Sequence, residues 1–267
     1  MLIAQITDTH IKPEGVLAYQ RVDTAAFLAR AVEHILHLDP RPDLVFATGD
    51  LVDAATPEEY RRLRHLLAPL PMPVHLVPGN HDDREAMRQV FPDHTYLPRR
   101  GFLQYVVDGG DIRIIALDTL VPGRPGGLLD PERIDWLDAR LREAPAAPTL
   151  IFMHHPPFKT GIAYMDGIGL EGADALADVV RRHPQVERIA CGHLHRTIHA
   201  RWAGTAVSTA PSTAHQVALD VRENVDLGFT LDPPGYAQHL WRRGLGLVSH
   251  VVAVGEHLTY MLGLRKG

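Results

Sequence analysis

The chain has 267 residues, of which 45% are hydrophobic and 22% charged, with a net charge of −5. These are ordinary globular values with enough apolar residues for a full core, and α/β folds of this length often stay single. No Lys/Arg-rich run supplies the footprint of a duplex nucleic-acid binder, and a single cysteine, Cys191, excludes both an intramolecular disulfide and a zinc–thiolate site.

Residues 2–6 open the chain as an apolar run of core-strand type. They lack the basic region, apolar region and cleavage site of a leader, and no stretch reaches membrane-spanning length. A soluble, cytoplasmic protein is expected. Val22, Ala25, Ala26, Ala29, Val32, Ile35 and Leu36 recur at helical spacing, which predicts a helix over 22–38 ended by Asp39-Pro40. Residues 44–47 form a second short apolar strand. Thr56-Pro57-Glu58-Glu59 then reads as an N-cap with proline in the first turn, opening a helix to residue 67. A strand at 74–77 and a short helix at 84–91 follow. Residues 102–107 and 112–117, separated by Asp108-Gly109-Gly110-Asp111, predict a hairpin. Asp130-Pro131-Glu132 starts a capped helix to 141, and a strand at 150–153, a helix at 174–182 and a strand at 186–191 continue the alternation. Beyond this the pattern changes to short β segments over 197–221 and 225–231, then 236–243 and a last strand at 247–254. No repeat, low-complexity segment or linker marks a domain break, so residues 1–267 are expected to form one domain. Cys191, at the end of an apolar run, reads as a small buried hydrophobe.

Five polar blocks each end an apolar run: Asp8-Thr9-His10, Gly49-Asp50, Gly79-Asn80-His81-Asp82, His154-His155 and Gly192-His193-Leu194-His195. In open α/β sheets the C-terminal strand ends line the ligand crevice, so five such blocks can converge. Asp8 and His10 at i and i+2, leaving an extended run, are expected to project to one side, as are His193 and His195. Gly49 and Gly79 allow close approach in a crowded centre. One carboxylate can bridge two cations, and Asp50 is the candidate, while Asn80 offers a neutral oxygen. Taken singly each block has a bland reading as a turn, a cap or a polar strand end. Together they form a donor set for two divalent metals. Six of the 17 histidines lie in these blocks, and the rest are scattered.

The ordered set Asp8-x-His10, Gly49-Asp50, Gly79-Asn80-His81-Asp82, His154 and Gly192-His193-x-His195 resembles the calcineurin-like metallophosphoesterase superfamily. Within it, the set is most similar to the class III cyclic nucleotide phosphodiesterases and related glycerophosphodiesterases. The likeness covers roughly residues 1–220. It implies an α/β fold, a four-layer α/β/β/α sandwich of two mixed sheets flanked by helices. It also implies one ion on Asp8, His10, Asp50 and His195 and a second on Asp50, Asn80, His154 and His193. His81 would contact the phosphate and the leaving group, with Asp82 orienting its ring; His155 matches no ligand position. The implied cofactors are two divalent or mixed-valence ions (Mn, Fe, Zn or Co) and no organic cofactor. The implied reaction is hydrolysis of a small phosphodiester, a cyclic nucleotide or a glycerophosphodiester, by a metal-activated hydroxide. A phosphomonoesterase or nuclease on the same centre is the alternative, though a nucleic-acid polymer is not the expected substrate.

Tyr19 and His215 are weaker candidates for substrate contact, carried by the likeness to the glycerophosphodiesterases. Asp53 stands where those relatives can carry Asn, and either alters substrate preference or metal retention or caps its loop. Residues 158–172 form a long loop placed for substrate contact. Residues 222–245, where the likeness fades, are open to reading as a lid, an oligomer contact of a homo-oligomer, or plain core.

Overall fold

The computed structural model describes residues 1–255; the end of the expected domain, 256–267, lies outside the described residues. Strands β1 (Leu2–Ile6), β2 (Leu44–Thr48) and β3 (Val74–Val77) run parallel, connected by helices α1 (Thr24–Leu36) and α2 (Pro57–Leu67). A short α3 (Arg84–Val90) follows. The hairpin β4 (Tyr105–Asp108) and β5 (Arg113–Leu117) leads through a two-residue strand β6 (Gly127–Leu128) and helix α4 (Pro131–Arg142) to β7 (Thr149–Met153). Next come α5 (Ala163–Gly167), β8 (Leu170–Glu171), α6 (Ala173–Arg182), β9 (Val186–Cys191), β10 (Ile198–Trp202) and β11 (Thr205–Thr209). Short β12 (Gln216–Val217) and β13 (Phe229–Thr230) pair with each other, and β14 (Gly235–Arg242) and β15 (Gly246–Ala253) finish the described chain.

Two mixed sheets result, one in the order β15-β14-β1-β2-β3 and one in the order β10-β11-β9-β7-β5-β4. They pack face to face because β5 and β7 are apolar on both sides. Ile114, Ala116, Leu150 and Phe152 share a core with the first sheet and with α1 and α2. The alternate residues Ile115, Leu117, Ile151 and Met153 share a second core with α4 and α6. Phe46 and Phe152 stack across the seam with centroids 4.3 Å apart. The helix–sheet–sheet–helix order expected from the sequence is therefore met.

Caps behave as the local sequence dictates. Thr56 accepts from Glu59 N while the Glu59 carboxylate accepts from Thr56 N, closing a capping box ahead of Pro57. Asp130 likewise caps α4 ahead of Pro131.

Two expectations are corrected, and for part of 222–245 one of the open readings, plain core, applies. The strand predicted from 102 begins at 105, because Leu103 N donates to the Asp118 carboxylate at 2.7 Å and leaves the ladder. The β segments predicted across 197–221 and 225–231 are interrupted: 210–215 crosses over the strand ends, and 218–228 forms a loop closed by Ala218 N donating to Gly228 O at 2.9 Å. The segment 222–245 divides, since β14 lies inside the first sheet, antiparallel to β1, and is core. The pieces β6, β8 and α5 are too short for a periodic signal.

Candidate metal centre

The five polar blocks meet. Asp8 and His10 follow β1, Asp50 follows β2, Asn80 and His81 follow β3, His154 follows β7, and His193 and His195 follow β9, all at C-terminal ends of parallel strands. The route of convergence differs from simple strand alternation. Asp8, His10, Asp50, His193 and His195 have φ of 52°, 40°, 48°, 69° and 46°. Left-handed backbone at a residue with a Cβ costs on the order of 1–2 kcal/mol, and strain of this kind gathers where a site over-determines geometry. Each chain turns sharply as it leaves its strand and throws its donors inward, so alternation along an extended run is not what aligns them.

Crowding explains two glycines. A Cβ on Gly49, itself at φ 95°, would lie 2.3 Å from His154 Nδ1, and one on Gly79 would lie 2.3 Å from Asp50 N. The side chains of Asp8, His10, Asp50, His154, His193 and His195 are all buried. Donor atoms of Asp8, His10 and His195 lie within 4.8 Å of one another, as do those of Asp8, Asp50 and His154. Asp50 Oδ2 is 3.6 Å from His10 Nε2, and Asp50 Oδ1 is 3.4 Å from His154 Nε2. Its two oxygens thus face the two halves of the cluster.

Main-chain carbonyls fix the imidazole tautomers, because a carbonyl can only accept. His154 Nδ1 donates to Thr48 O at 2.9 Å, and His195 Nδ1 donates to His215 O at 3.1 Å. Each then aims an Nε2 lone pair inward. His193 is reversed: Nε2 donates to Ile168 O at 3.1 Å and leaves Nδ1 as the free donor atom. His10 Nδ1 sits 3.7 Å from Asp53 Oδ1, while its Nε2 lies 3.1 Å from His195 Nε2. His154 Nε2 and Asn80 Oδ1 are buried with no hydrogen-bond partner. Converging lone pairs, orphaned acceptors and carboxylates in a buried space fit cations, and the donor set is entirely nitrogen and oxygen.

The charges respond to one another. Burial raises the Asp8 carboxyl above its ordinary value. Burial acts the same way on Asp50, but His154, His10 and His81 overcome it and hold that carboxylate well below the usual range. His195 and His193 are pushed down by burial, which keeps both neutral. Asp53 is held well below the ordinary carboxylate range by His10 first and by Lys12, with which it pairs.

Asp82, expected to orient the His81 ring, does not touch it. Its carboxylate accepts from Tyr60 Oη at 2.8 Å, Gly79 N at 2.8 Å and Leu51 N at 3.2 Å, so it ties two site loops together. The group against His81 is the Asp53 carbonyl, which accepts from His81 Nδ1 at 2.8 Å. His155 has Nδ1 on the Thr119 hydroxyl at 2.8 Å and Nε2 on Pro125 O at 3.2 Å, which leaves it outside the donor set. Its ring lies 4.5 Å from that of His193.

His10, Asp50, Asn80, His81 and His195 open into a cleft of about 220 Å³. Tyr19 and His215 both reach it. His215 is buried with both ring nitrogens unpartnered, and burial pushes it down to about 3, so it is neutral. A larger hollow of about 410 Å³ lies behind residues 165–170 and shares His193, Ile168, Met165 and Pro125 with the cleft. It lacks the donor cluster, so the smaller cleft is the functional candidate. Sequence reasoning missed Tyr60, Thr48, Ile168 and Phe229. Thr48 and Ile168 act through main-chain carbonyls and Tyr60 through its hydroxyl on α2, none with a motif to announce it, and Phe229 is a lone aromatic.

Residues 1–197 match the model of the calcineurin-like phosphoesterase family. The chain is 39% identical over 257 residues to a probable glycerophosphodiester phosphodiesterase of Arcobacter nitrofigilis, covering 96% of this chain and 94% of that protein. It is 33% identical over 238 residues to a 3',5'-cyclic adenosine monophosphate phosphodiesterase of Pseudomonas aeruginosa, covering 88% and 84%. In fold it resembles a dimetal phosphatase from Danio rerio, with a TM-score of 0.64 at 15% identity over 96% of this chain and 99% of that one. No helix among the described residues is long and apolar enough to cross a membrane.

Proposed function

The chain belongs to the calcineurin-like phosphoesterase family, and on that premise we propose that it is a dinuclear metal-dependent phosphodiesterase acting on small diesters. Asp8, His10, Asp50 and His195 would hold one ion, and Asp50, Asn80, His154 and His193 the other. The opposed oxygens of Asp50 and the orphaned Asn80 Oδ1 and His154 Nε2 support this division. Mn, Fe, Co and Zn all suit the donor set. When bound, the ions supply Lewis acidity to the phosphoryl oxygens and lower the pKa of a water.

The protein's own groups do the rest. The carbonyl tethers on His154, His193 and His195 keep those rings aimed, so little reorganisation accompanies ion binding. His81, with Nδ1–H fixed on the Asp53 carbonyl, presents Nε2 to the cleft and, when protonated there, gives that proton to the departing alkoxide. Asp82 holds the loops that carry Asp50 and Asn80 in register.

One observation carries the choice of diester over monoester: no lysine or arginine lines the cleft among the described residues. A diester monoanion needs no cation beyond the metals, whereas the second charge of a monoester would find none. The same lack disfavours a nucleic-acid polymer.

The test is a kcat/KM panel with Mn2+ on bis(p-nitrophenyl) phosphate, cyclic AMP, 2′,3′-cyclic nucleotides, glycerophosphoethanolamine and p-nitrophenyl phosphate. At least one diester should exceed the monoester by about tenfold or more, a difference of about 1.4 kcal/mol in barrier. His81→Ala should lower diester turnover by about 10²–10⁴ while retaining its metal. A monoester preference would overturn the assignment.

A further inference from the structure

The mouth of the cleft is chemically unlike its floor. Tyr19 and Phe229 lie ring on ring with centroids 4.5 Å apart and planes 20° from parallel. Both meet the His215 ring nearly edge-on, at 5.1 Å and 82° for Tyr19 and at 5.8 Å and 79° for Phe229. Tyr19 is 59% exposed and Phe229 36%. Aromatics left exposed together at a cleft mouth offer a ligand an apolar face to bury.

Both rings are held from behind. Ala18 and Val22 exchange two main-chain hydrogen bonds of 2.9 Å, and the turn they close places Tyr19 at φ 49° and Gln20 at φ 57°. Left-handed backbone at a bulky residue is costly, and a glycine or asparagine there would relieve it. Phe229 is set by pairing opposite Val217, at the foot of the closed loop 219–227. Tyr164, Leu227, Val217 and Met165 complete an apolar wall.

We propose that the Tyr19–Phe229 stack is a shelf for a planar aromatic or heteroaromatic group on the diester, and that Phe229 is a specificity-determining residue. This rests on the diesterase reading above. A ring added to the stack gains burial and an offset aromatic contact on a surface already ordered. A glycerol group has no ring to add to the stack, so it gains neither that contact nor that burial. An alkylammonium group could use the ring faces by cation–π attraction, so it is an arm of the test.

The experiment is calorimetric titration of the Mn2+-loaded full chain with AMP, glycerol 3-phosphate and phosphocholine, with diester turnover read on the same samples. AMP should bind tighter than glycerol 3-phosphate. Phe229→Ala should shrink that ratio by about tenfold, the scale of one lost base–aromatic stack, and Phe229→Trp should restore it. An unchanged ratio in Phe229→Ala would overturn the shelf, and so would phosphocholine as the tightest ligand. A wild type that discriminates as described but turns over no diester would sink the diesterase reading and leave the shelf supported. Intact turnover with a flat ratio would sink the shelf alone.

Discussion

Each buried imidazole at the centre has one nitrogen for the site and another for the scaffold. For His154, His195 and His193 the scaffold partner is a main-chain carbonyl. For His10 it is the Asp53 carboxylate at 3.7 Å, itself paired with Lys12. This is the one tether made by a replaceable side chain, so it is where the geometry can be tested cleanly. Asp53→Ala should weaken metal occupancy about 10–100-fold by removing an outer-shell partner. Chelator competition reads it, and unchanged affinity would show that Asp53 only closes its loop. The convergence of these residues was legible in the sequence because carboxylate, amide and imidazole cluster at strand ends. The role of Asp82 was not, because orientation by a neighbour in sequence is a guess about direction. Here its carboxylate points to Tyr60, 22 positions away.

At the scale of elements, caps and periodicity carried most of the architecture. The box of Thr56 and Glu59 and the helical stripe ending at Leu36 were readable because their physics is local. What escaped was non-local. Leu103 leaves its strand for Asp118, and the 210–215 crossing is anchored by Ser212 Oγ donating to Asp8 O at 2.8 Å. Neither contact leaves a period in the sequence. The left-handed turns after β1, β2 and β9 also escaped, since aspartate and histidine visit that region only occasionally and signal it far more weakly than glycine. Thr56→Ala should lower stability by about 1 kcal/mol with turnover per folded molecule unchanged. Urea unfolding measures it, and a loss near zero would mean that the cap is redundant with Pro57.

At the scale of the whole molecule, buried neutral histidines tie stability to pH. His239 is fully buried between the sheets, with Nε2 3.0 Å from Gln5 Oε1 and Nδ1 2.7 Å from Ser249 Oγ. Burial first, and Arg188 second, push its pKa down to about 3, while the unfolded chain titrates near ~6.5. Below that value the unfolded state takes up a proton that the native state refuses. Stability is therefore full above it and falls as pH drops, by roughly 1.4 kcal/mol per pH unit for this group. His239→Gln should flatten the loss between pH 6 and 4, measured as the midpoint of urea unfolding against pH; parallel curves for the two proteins would contradict this.

Two ions held by the converged strand ends are what the proposed chemistry requires. The most direct measurement strips the protein with chelator and titrates Mn2+ back, following bound metal and bis(p-nitrophenyl) phosphate turnover together. Turnover should rise as a second equivalent binds per chain, and Asp50→Ala, lacking the shared carboxylate, should neither retain two ions nor recover. Full turnover with one equivalent, or in the stripped protein, would contradict this.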